Sequence, residues 1–364
     1  MIEPKHLLHV FSTFGVGGPE VRSCDLINHF GDRYRHSIIA MDDIYDCQSK
    51  LLPNHAVKFH RVVNDKSSLR KNLKNFIRIL KSLKPNLLLT YNFGAIEWGA
   101  ANAWVNQAPH FHWEEGFGPE EVQQQFTRRI YVRRLFLART RKIVVVSRSL
   151  EKNAQSEWKF PARKICYIPN GVGLQKFSRL VSSQSNEAII VGTVAKLRPE
   201  KNIARMIRCF EIASREVVAK LIIVGAGSES DSLKSLVNEL NIASKVEFKG
   251  YQNDPSEFVK SFDILAISSD TEQMPIAVLE GMAAGCPIVG TDVGDIREMV
   301  AESNRSYLSK VSDENSYAQN LQKLLVNKSL RNSIGADNIK RCTQFFDEQV
   351  MFENYRKLYD LELL

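Results

Sequence analysis

Residues 264–291 read Ile264-Leu-Ala-Ile-Ser-Ser-Asp-Thr-Glu-Gln-Met-Pro-Ile-Ala-Val-Leu-Glu-Gly-Met-Ala-Ala-Gly-Cys-Pro-Ile-Val-Gly-Thr291. A short apolar run leads into a polar loop. Next comes a segment with Pro275 suited to a first helical turn and Gly285 to a C-terminal cap, then a second short run ending at Thr291. Strand, helix, strand in that order is a parallel unit, since antiparallel neighbours need only a tight turn. The rhythm extends both ways. Runs at 188–194, 221–224 and 246–249 each precede a loop and a helical stretch, and in the first half runs at 7–11, 36–41, 87–90 and 143–147 alternate with amphipathic stretches near 20–30, 68–83, 94–106 and 120–140. The expected fold class is α/β, with two open parallel-sheet domains facing across a cleft, because such sheets bind ligands beyond the carboxyl ends of their strands. After Ile168-Pro-Asn-Gly-Val172 the chain turns polar and serine-rich. The reading is therefore a first domain over 1–173, a linker over 174–187 and a second domain over 188–347, with a helix at about 348–364 able to pack back on the first.

Composition agrees with two globular domains: 364 residues, 44% hydrophobic and 25% charged. No run approaches the ~18–20 apolar residues of a membrane span, and the start lacks the apolar core of a secretory signal, so the expected compartment is the cytoplasm. The six cysteines are scattered without a C-x-x-C pair and read as reduced thiols. Residues 1–180 hold 28 Lys and Arg against 15 Asp and Glu, whereas the rest hold 21 against 26. A basic first half favours a phosphorylated substrate or an anionic membrane face. Nucleic acid is disfavoured, since the cations are dispersed without interleaved aromatics. The basic stretch 126–142, with Phe126, Ile130, Phe136 and Leu137 on its apolar face, suits either core packing or peripheral contact with anionic lipid.

The chemistry-bearing residues cluster at strand ends. Glu272 sits in the loop before the 275–285 helix and Glu280 about five residues into it, roughly 7–8 Å along the axis. Two carboxylates so placed can hold hydroxyls at two points on one ligand while the helix N-terminus receives an anion, and a nucleotide sugar meets that demand. Lys196, Arg198 and Lys201 share one strand-to-helix loop that ends at Asn202, a natural cap, and cations there neutralise a leaving diphosphate. Gly225 and Gly227 follow another strand and allow close backbone approach, but Ser230 stands where a dinucleotide fingerprint needs its third glycine. In the first half, Gly15-Val-Gly17-Gly18-Pro-Glu20-Val-Arg22 presents backbone N–H groups in a tight turn, and Arg22 either reaches an acceptor phosphate or is solvated. In His110-Phe-His112-Trp-Glu114-Glu115, alternation puts both histidines on one strand face, where one can be buried while the other reaches a site. Metal-ligand spacing and Asp-x-Asp pairs are absent from the sequence, so metal is not expected.

The 17–20 glycine loop, the 168–172 junction, the 196–201 loop and the Glu272…Glu280 spacing together resemble the family 4 glycosyltransferases, which are of the GT-B type. The resemblance implies two Rossmann-like domains, the first for an acceptor and the second for a nucleotide-sugar donor, and transfer of the sugar with retention at its anomeric carbon. It implies that Glu280 binds the donor ribose, Glu272 the donor sugar, and Lys196 and Lys201 the diphosphate, with Gly225, Gly227, Met274, Pro275 and Ile276 completing the donor site. Gly17, Gly18, Glu20, Arg22 and Glu114 fall to the acceptor or phosphate side. His112 best matches a catalytic histidine that contacts the donor sugar beside Glu272, Lys196 and Lys201, with His110 and Glu114 left open for that place. Family members usually carry Arg where Lys196 stands, so charge remains there without a bidentate fork. No cofactor is implied, since the nucleotide sugar is a substrate. The implied acceptor is a glycan or lipid-linked glycan of a cell-surface polysaccharide, met at the inner face of the membrane. An epimerase or phosphorylase on the same plan is the enzyme alternative; an NAD oxidoreductase lacks its fingerprint here, and a catalytically dead binding module would not need the intact Glu272, Glu280 and Lys201.

Overall fold

The computed structural model of the protein describes residues 3–363 apart from 54, 56, 66, 118–120, 122–124 and 179–187. The chain divides into two units. Unit 1 runs through Pro169 and is rejoined at Phe352, and unit 2 lies between, over Asn170–Met351. Thus the division falls a few residues ahead of the expected end of the first domain. The reason lies in the junction itself, where the Asn170 amide donates to the Met274 carbonyl and Val172 pairs in parallel with Asp347, all within unit 2. Of the expected linker, Leu174–Phe177 is a short helix of unit 2, while residues 179–187 lie outside the described residues.

Among the described residues, unit 1 holds seven strands: β1 Lys5–Phe11, β2 Tyr34–Ala40, β3 Val57–Phe59, β4 Leu87–Tyr91, β5 His110–Glu114, β6 Lys142–Val145 and β7 Ile165–Tyr167. They pair in parallel in the order β3-β2-β1-β4-β5-β6-β7. The described residues of unit 2 hold six: β8 Ile189–Val194, β9 Ala219–Val224, β10 Val246–Gly250, β11 Ile264–Ile267, β12 Ile288–Thr291 and β13 Leu308–Ser309. These too are parallel, in the order β10-β9-β8-β11-β12-β13. Both sheets are Rossmann-like, and each reverses its strand order once, between β1 and β4 and between β8 and β11. Loops leaving those central strands splay apart at that point and leave a crevice for a ligand.

Helices cover both faces, so central strands read as unbroken apolar runs: all five residues of β4 and all four of β11 and β12 are buried. In unit 1 the helix Leu69–Leu83 lays Phe76 and Leu80 over Leu8, Val10, Ile39 and Leu88, with Phe76 stacked on Trp98 at 4.4 Å. In unit 2 the helices Ile203–Ala213 and Glu314–Val326 supply Met206, Ile207, Phe210, Leu321 and Leu324 against Val191, Leu221, Ile223 and Val289. The C-terminal helix Glu348–Leu363 brings Tyr355 and Tyr359 into the core of unit 1, where the Trp113 indole donates to the Tyr355 hydroxyl at 3.0 Å. The edge strands β3, β7 and β13, each three residues or shorter, went unread in the sequence because so short a run has no period to detect.

Candidate active site

The reversal in unit 2 brings the loop after β8 beside the loop after β11, and both carry charge. Lys201 donates to the Glu272 carboxylate at 2.6 Å, and the Ser269 hydroxyl donates to the same oxygen at 2.7 Å. Around this pair the two loops are stitched backbone to backbone. The Asp270 N–H donates to the Glu200 carbonyl at 2.9 Å, and the Ser268 hydroxyl to the Lys201 carbonyl at 2.9 Å. Asn202 caps the following helix by accepting from the Arg205 N–H, while its amide donates to Asp270 and Arg205 itself pairs with Asp270 at 2.8 Å. From the β12 side, Gly294 at φ +56° lies so close that a Cβ there would strike the Glu272 carbonyl, and the Asp295 N–H donates to the Gln273 carbonyl. Glu272 and Lys201 are thus held by three strand-end loops rather than by their own segment.

Glu280 is the fifth residue of the helix Ile276–Ala283, whose N-cap is Pro275 rather than a side chain that accepts from the first turn. The Val278 N–H donates to the Pro275 carbonyl, and the N–H groups of Ile276 and Ala277 ahead of it are placed to donate to an anion. Met274 precedes them, its carbonyl held by the Asn170 amide at 3.0 Å. The Glu280 carboxylate is partly buried and has no hydrogen-bond partner among the described residues. Burial pushes its pKa up to about 7, with the nearby Lys176 ammonium opposing the shift and Asp254 adding to it. A carboxylate in this state gains most from hydroxyl donors brought by a ligand.

The glycine turn after β9 serves the same architecture. At φ +141°, a Cβ on Gly225 would strike the Ala195 carbonyl, and one on Gly227 the Leu197 carbonyl. The Leu197 N–H donates to the Ala226 carbonyl and the Glu229 N–H to that of Leu197, each at 3.0 Å. Both glycines are required by the approach of the two loops to one another. Lys196, on the outer side of this junction, is exposed.

In unit 1 the expected residues are differently placed. His110 and His112 share one face of β5, as alternation requires, and both ring systems bond the Thr90 hydroxyl, at 2.7 and 2.8 Å. His110 also meets the Thr140 hydroxyl at 2.9 Å, and His112 the Glu114 carboxylate at 3.4 Å. Glu114 in turn accepts two hydrogen bonds of 3.0 Å from Arg133. All four side chains are buried. The Arg133 guanidinium holds the Glu114 carboxyl down at about 2 against the desolvation that would raise it. His112 has both ring nitrogens engaged and its side chain buried, and the Glu114 carboxylate is answered by Arg133. Gly17 caps the helix Gly18–Phe30 and lies against the Glu20 carboxylate, which occupies the space a Cβ would need. Arg22 is buried in an ion pair with Glu115 and lies over the Tyr355 ring, so its charge is answered within unit 1. Ser269, Asn170, Gly294 and Glu115 were missed as site residues. Asn170 stands in the junction motif and Gly294 just beyond a strand, and both positions are signals of a built turn.

The comparisons agree with this architecture. The family model described as Glycosyltransferase Family 4 matches residues 16–176, and that of Glycosyl transferases group 1 matches residues 176–341. The chain is 27% identical over 208 residues to the N-acetyl-alpha-D-glucosaminyl L-malate synthase of Bacillus anthracis, a stretch covering 57% of this chain and 54% of that protein, so the match spans about half of that relative's length. It is 24% identical over 312 residues to the UDP-Gal:alpha-D-GlcNAc-diphosphoundecaprenol alpha-1,3-galactosyltransferase of Escherichia coli, covering 77% of this chain and 80% of that one. Among solved structures, Anabaena HepE in complex with UDP superposes with a TM-score of 0.84 at 17% identity, over 98% of this chain and 99% of that one, which is a likeness of fold. With the two models meeting at residue 176 and the loops of both sheets in the expected order, the chain belongs to the family 4 glycosyltransferases and has their GT-B pair of domains.

Proposed function

We propose that the protein is a retaining glycosyltransferase. It takes a sugar from a nucleotide-sugar donor held by unit 2 and passes it to a hydroxyl of a glycan or lipid-linked acceptor held by unit 1, in the synthesis of a cell-surface polysaccharide. The bond from the anomeric carbon to the diphosphate oxygen breaks, and the bond to the acceptor oxygen forms on the same face. The acceptor proton leaves with the diphosphate. Lys201, Lys196 and the first-turn N–H groups of the Ile276–Ala283 helix stabilise the growing phosphate charge, Glu272 orients the sugar, and Glu280 accepts from the ribose hydroxyls. The observation that carries this reading is the Glu280 carboxylate, without a hydrogen-bond partner among the described residues and one turn inside a helix whose start has no side-chain cap. Supporting it, the similar HepE structure contains UDP, and the similar Escherichia coli enzyme is named for UDP-galactose and a diphosphoundecaprenol acceptor.

A lipid-linked acceptor would be met at a membrane. Among the described residues no helix is long and apolar enough to cross one. In unit 1, however, the packed helices Ile96–Val105 and Thr127–Phe136 expose Trp104 at 84%, Tyr131 at 61% and Leu135 at 72%, beside Arg128, Arg139 and Arg141. Exposed indole, phenol and alkyl groups among arginines suit the interface of an anionic bilayer.

Calorimetry with UDP, GDP and ADP, followed by product analysis with the matching nucleotide sugars, tests the reading. One nucleotide should bind, its sugar should be transferred with the α or β configuration kept in the product NMR spectrum, and EDTA should leave the rate unchanged. Turnover of the donor without any acceptor would instead make the protein an epimerase, and loss of activity restored by Mg²⁺ would overturn the metal-free route.

A further inference from the structure

Positive charge is dense in two segments of the first half, the basic stretch 126–142 and residues 57–96. Residues 57–96 carry nine Lys and Arg against a single Asp, a net of +8, which equals the net charge of the whole protein. Six of the nine fall in or at the end of the helix Leu69–Leu83, which holds no acidic residue. Arg70, Lys74, Arg78 and Lys81 recur every three or four residues along one exposed stripe, about 5–6 Å apart. Burial of Phe76 and Leu80 on the opposite side fixes the direction in which this stripe faces.

Lys74 and Arg78 of this stripe border a groove of about 650 Å³ whose other wall is the stretch 61–65. The walls are tied together by amides. Asn72 accepts from the Asp65 N–H at 2.8 Å and donates to the Asp65 carbonyl at 3.0 Å, and Asn75 donates to the Val63 carbonyl at 3.1 Å. Arg61, Lys71, Lys74 and Arg78 line the groove. Lys71 reaches Asp65 at 3.5 Å and Arg61 reaches Asp43 at 3.3 Å, but Lys74 and Arg78 make no ion pair among the described residues. Helix and stretch both begin at the carboxyl edge of the sheet, just past β3.

We propose that this groove binds a linear anionic saccharide, the carboxylate- or phosphate-bearing stretch of the acceptor, whose identification as acceptor rests on the transferase reading above. Three features choose the occupant. Lys74 and Arg78, one turn apart on the groove wall, match charges repeated along a chain. The groove is concave, so it admits a strand, whereas a bilayer meets a protruding face such as that of Trp104. Among the described residues its lining holds no aromatic ring, and base stacking on aromatics is what single-stranded nucleic acid binding uses. Walls already joined by amide bonds order little on binding, which leaves more of the interaction for affinity.

The test is direct binding, independent of turnover. Fluorescently labelled octagalacturonate, its neutral counterpart maltooctaose, an oligothymidylate and phosphatidylglycerol vesicles are titrated into wild-type protein and the Lys74→Glu/Arg78→Glu variant at 50 and 200 mM salt. Both substituted residues are exposed, and Lys74→Gln/Arg78→Gln serves where charge reversal disturbs folding. Octagalacturonate should bind wild type at least tenfold more tightly than maltooctaose, lose at least tenfold affinity in either variant, and weaken on raising the salt, while the variants keep wild-type affinity for UDP. Equal binding of the charged and neutral octamers, equal affinity of wild type and variants, or tighter binding of the oligothymidylate or vesicles through Lys74 and Arg78 would overturn the proposal. None of these outcomes touches donor binding or transfer to a neutral acceptor, so the transferase reading stands or falls separately.

Discussion

The two sheets share a strand order through six strands, yet they place their ionisable side chains in opposite surroundings. In unit 2 Lys201, Glu272 and Glu280 stand beyond the strands, in a loop, a loop and the second turn of a helix, with partial access to solvent and, among the described residues, with no hydrogen-bond partner at Glu280. In unit 1 His110, His112 and Glu114 lie within β5, and Arg133 comes down from the helix above to neutralise Glu114 in a box of rings, 4.9 Å from Phe93 and from Trp158. A position at a strand end, such as Glu114, and one five residues past it, such as Glu272, differ little in sequence, but they differ in whether the group serves the fold or a ligand. The comparison predicts stability effects in unit 1 and functional effects in unit 2.

The largest effect should come from Arg133→Ala. It leaves Glu114 charged, buried and without its partner, a situation that costs about 3–5 kcal/mol, and urea unfolding should show the loss. Glu114→Gln combined with Arg133→Met removes both charges and should recover much of it. A loss below about 1 kcal/mol would mean that this network is not the anchor of unit 1.

Next is Lys201→Ala. Its ion pair with Glu272 is partly exposed, so stability should change by less than about 1 kcal/mol. If Lys201 answers the charge on a departing diphosphate, kcat should fall about a hundredfold while KM changes less. Unfolding of the variant, or an unchanged kcat, would erase the contrast between the units.

Glu280 gives a smaller effect with a pH signature. Its carboxyl titrates at about 7 in the free protein, and ribose hydroxyls bond best to the charged form, so nucleotide binding draws the pKa down and releases a proton. Affinity for UDP should therefore be level above pH 7 and fall as the solution is acidified below it, and Glu280→Gln should bind about 1.5–3 kcal/mol more weakly with no such slope. Stability has the opposite sense. Because the folded pKa lies above the ordinary value of 4.5, the contribution of this group is present at acid pH below that value and is lost as the pH rises through about 7. At pH 8 the free Glu280→Gln protein should be the more stable by about 1 kcal/mol, allowing for partial exposure. Nucleotide binding that ignores pH between 5.5 and 8 would take Glu280 out of the site.

Most of the fold was readable because strands buried on both faces must be apolar throughout, and β11 and β12 were found to the residue. The pairing partners of the site were not. Ser269 and Asn170 are ordinary polar residues until the fold carries them to Glu272 and Met274, 3 and 104 positions away in sequence. Likewise, the period of a strand puts His110 and His112 on one face but does not say that Thr90, Thr140 and Arg133 cover that face. Gly225 and Gly227 were visible as glycines, while their reason, contact with the 195–197 backbone, is a property of two loops together.

The smallest effect, and the finest test of how unit 2 handles charge, is at Lys196. The residue is exposed, so neither Arg nor Ala should alter stability by more than about 0.5 kcal/mol. An ammonium acts on a diphosphate as a point charge, whereas a guanidinium meets two oxygens at once with its planar donors. Lys196→Arg should therefore keep or raise kcat/KM, by up to about threefold. Lys196→Ala should lower it by less than Lys201→Ala does, since Lys201 is held in place by Glu272 and loses less freedom when it binds a phosphate. The order Arg at or above Lys, then Ala, is what a phosphate-facing loop requires. If all three side chains at 196 give the same kcat/KM while Lys201→Ala remains impaired, the leaving group is met from one side of the loop alone. The charge at 196 is then a solvated one, and the contrast between the units narrows to Lys201, Glu272 and Glu280.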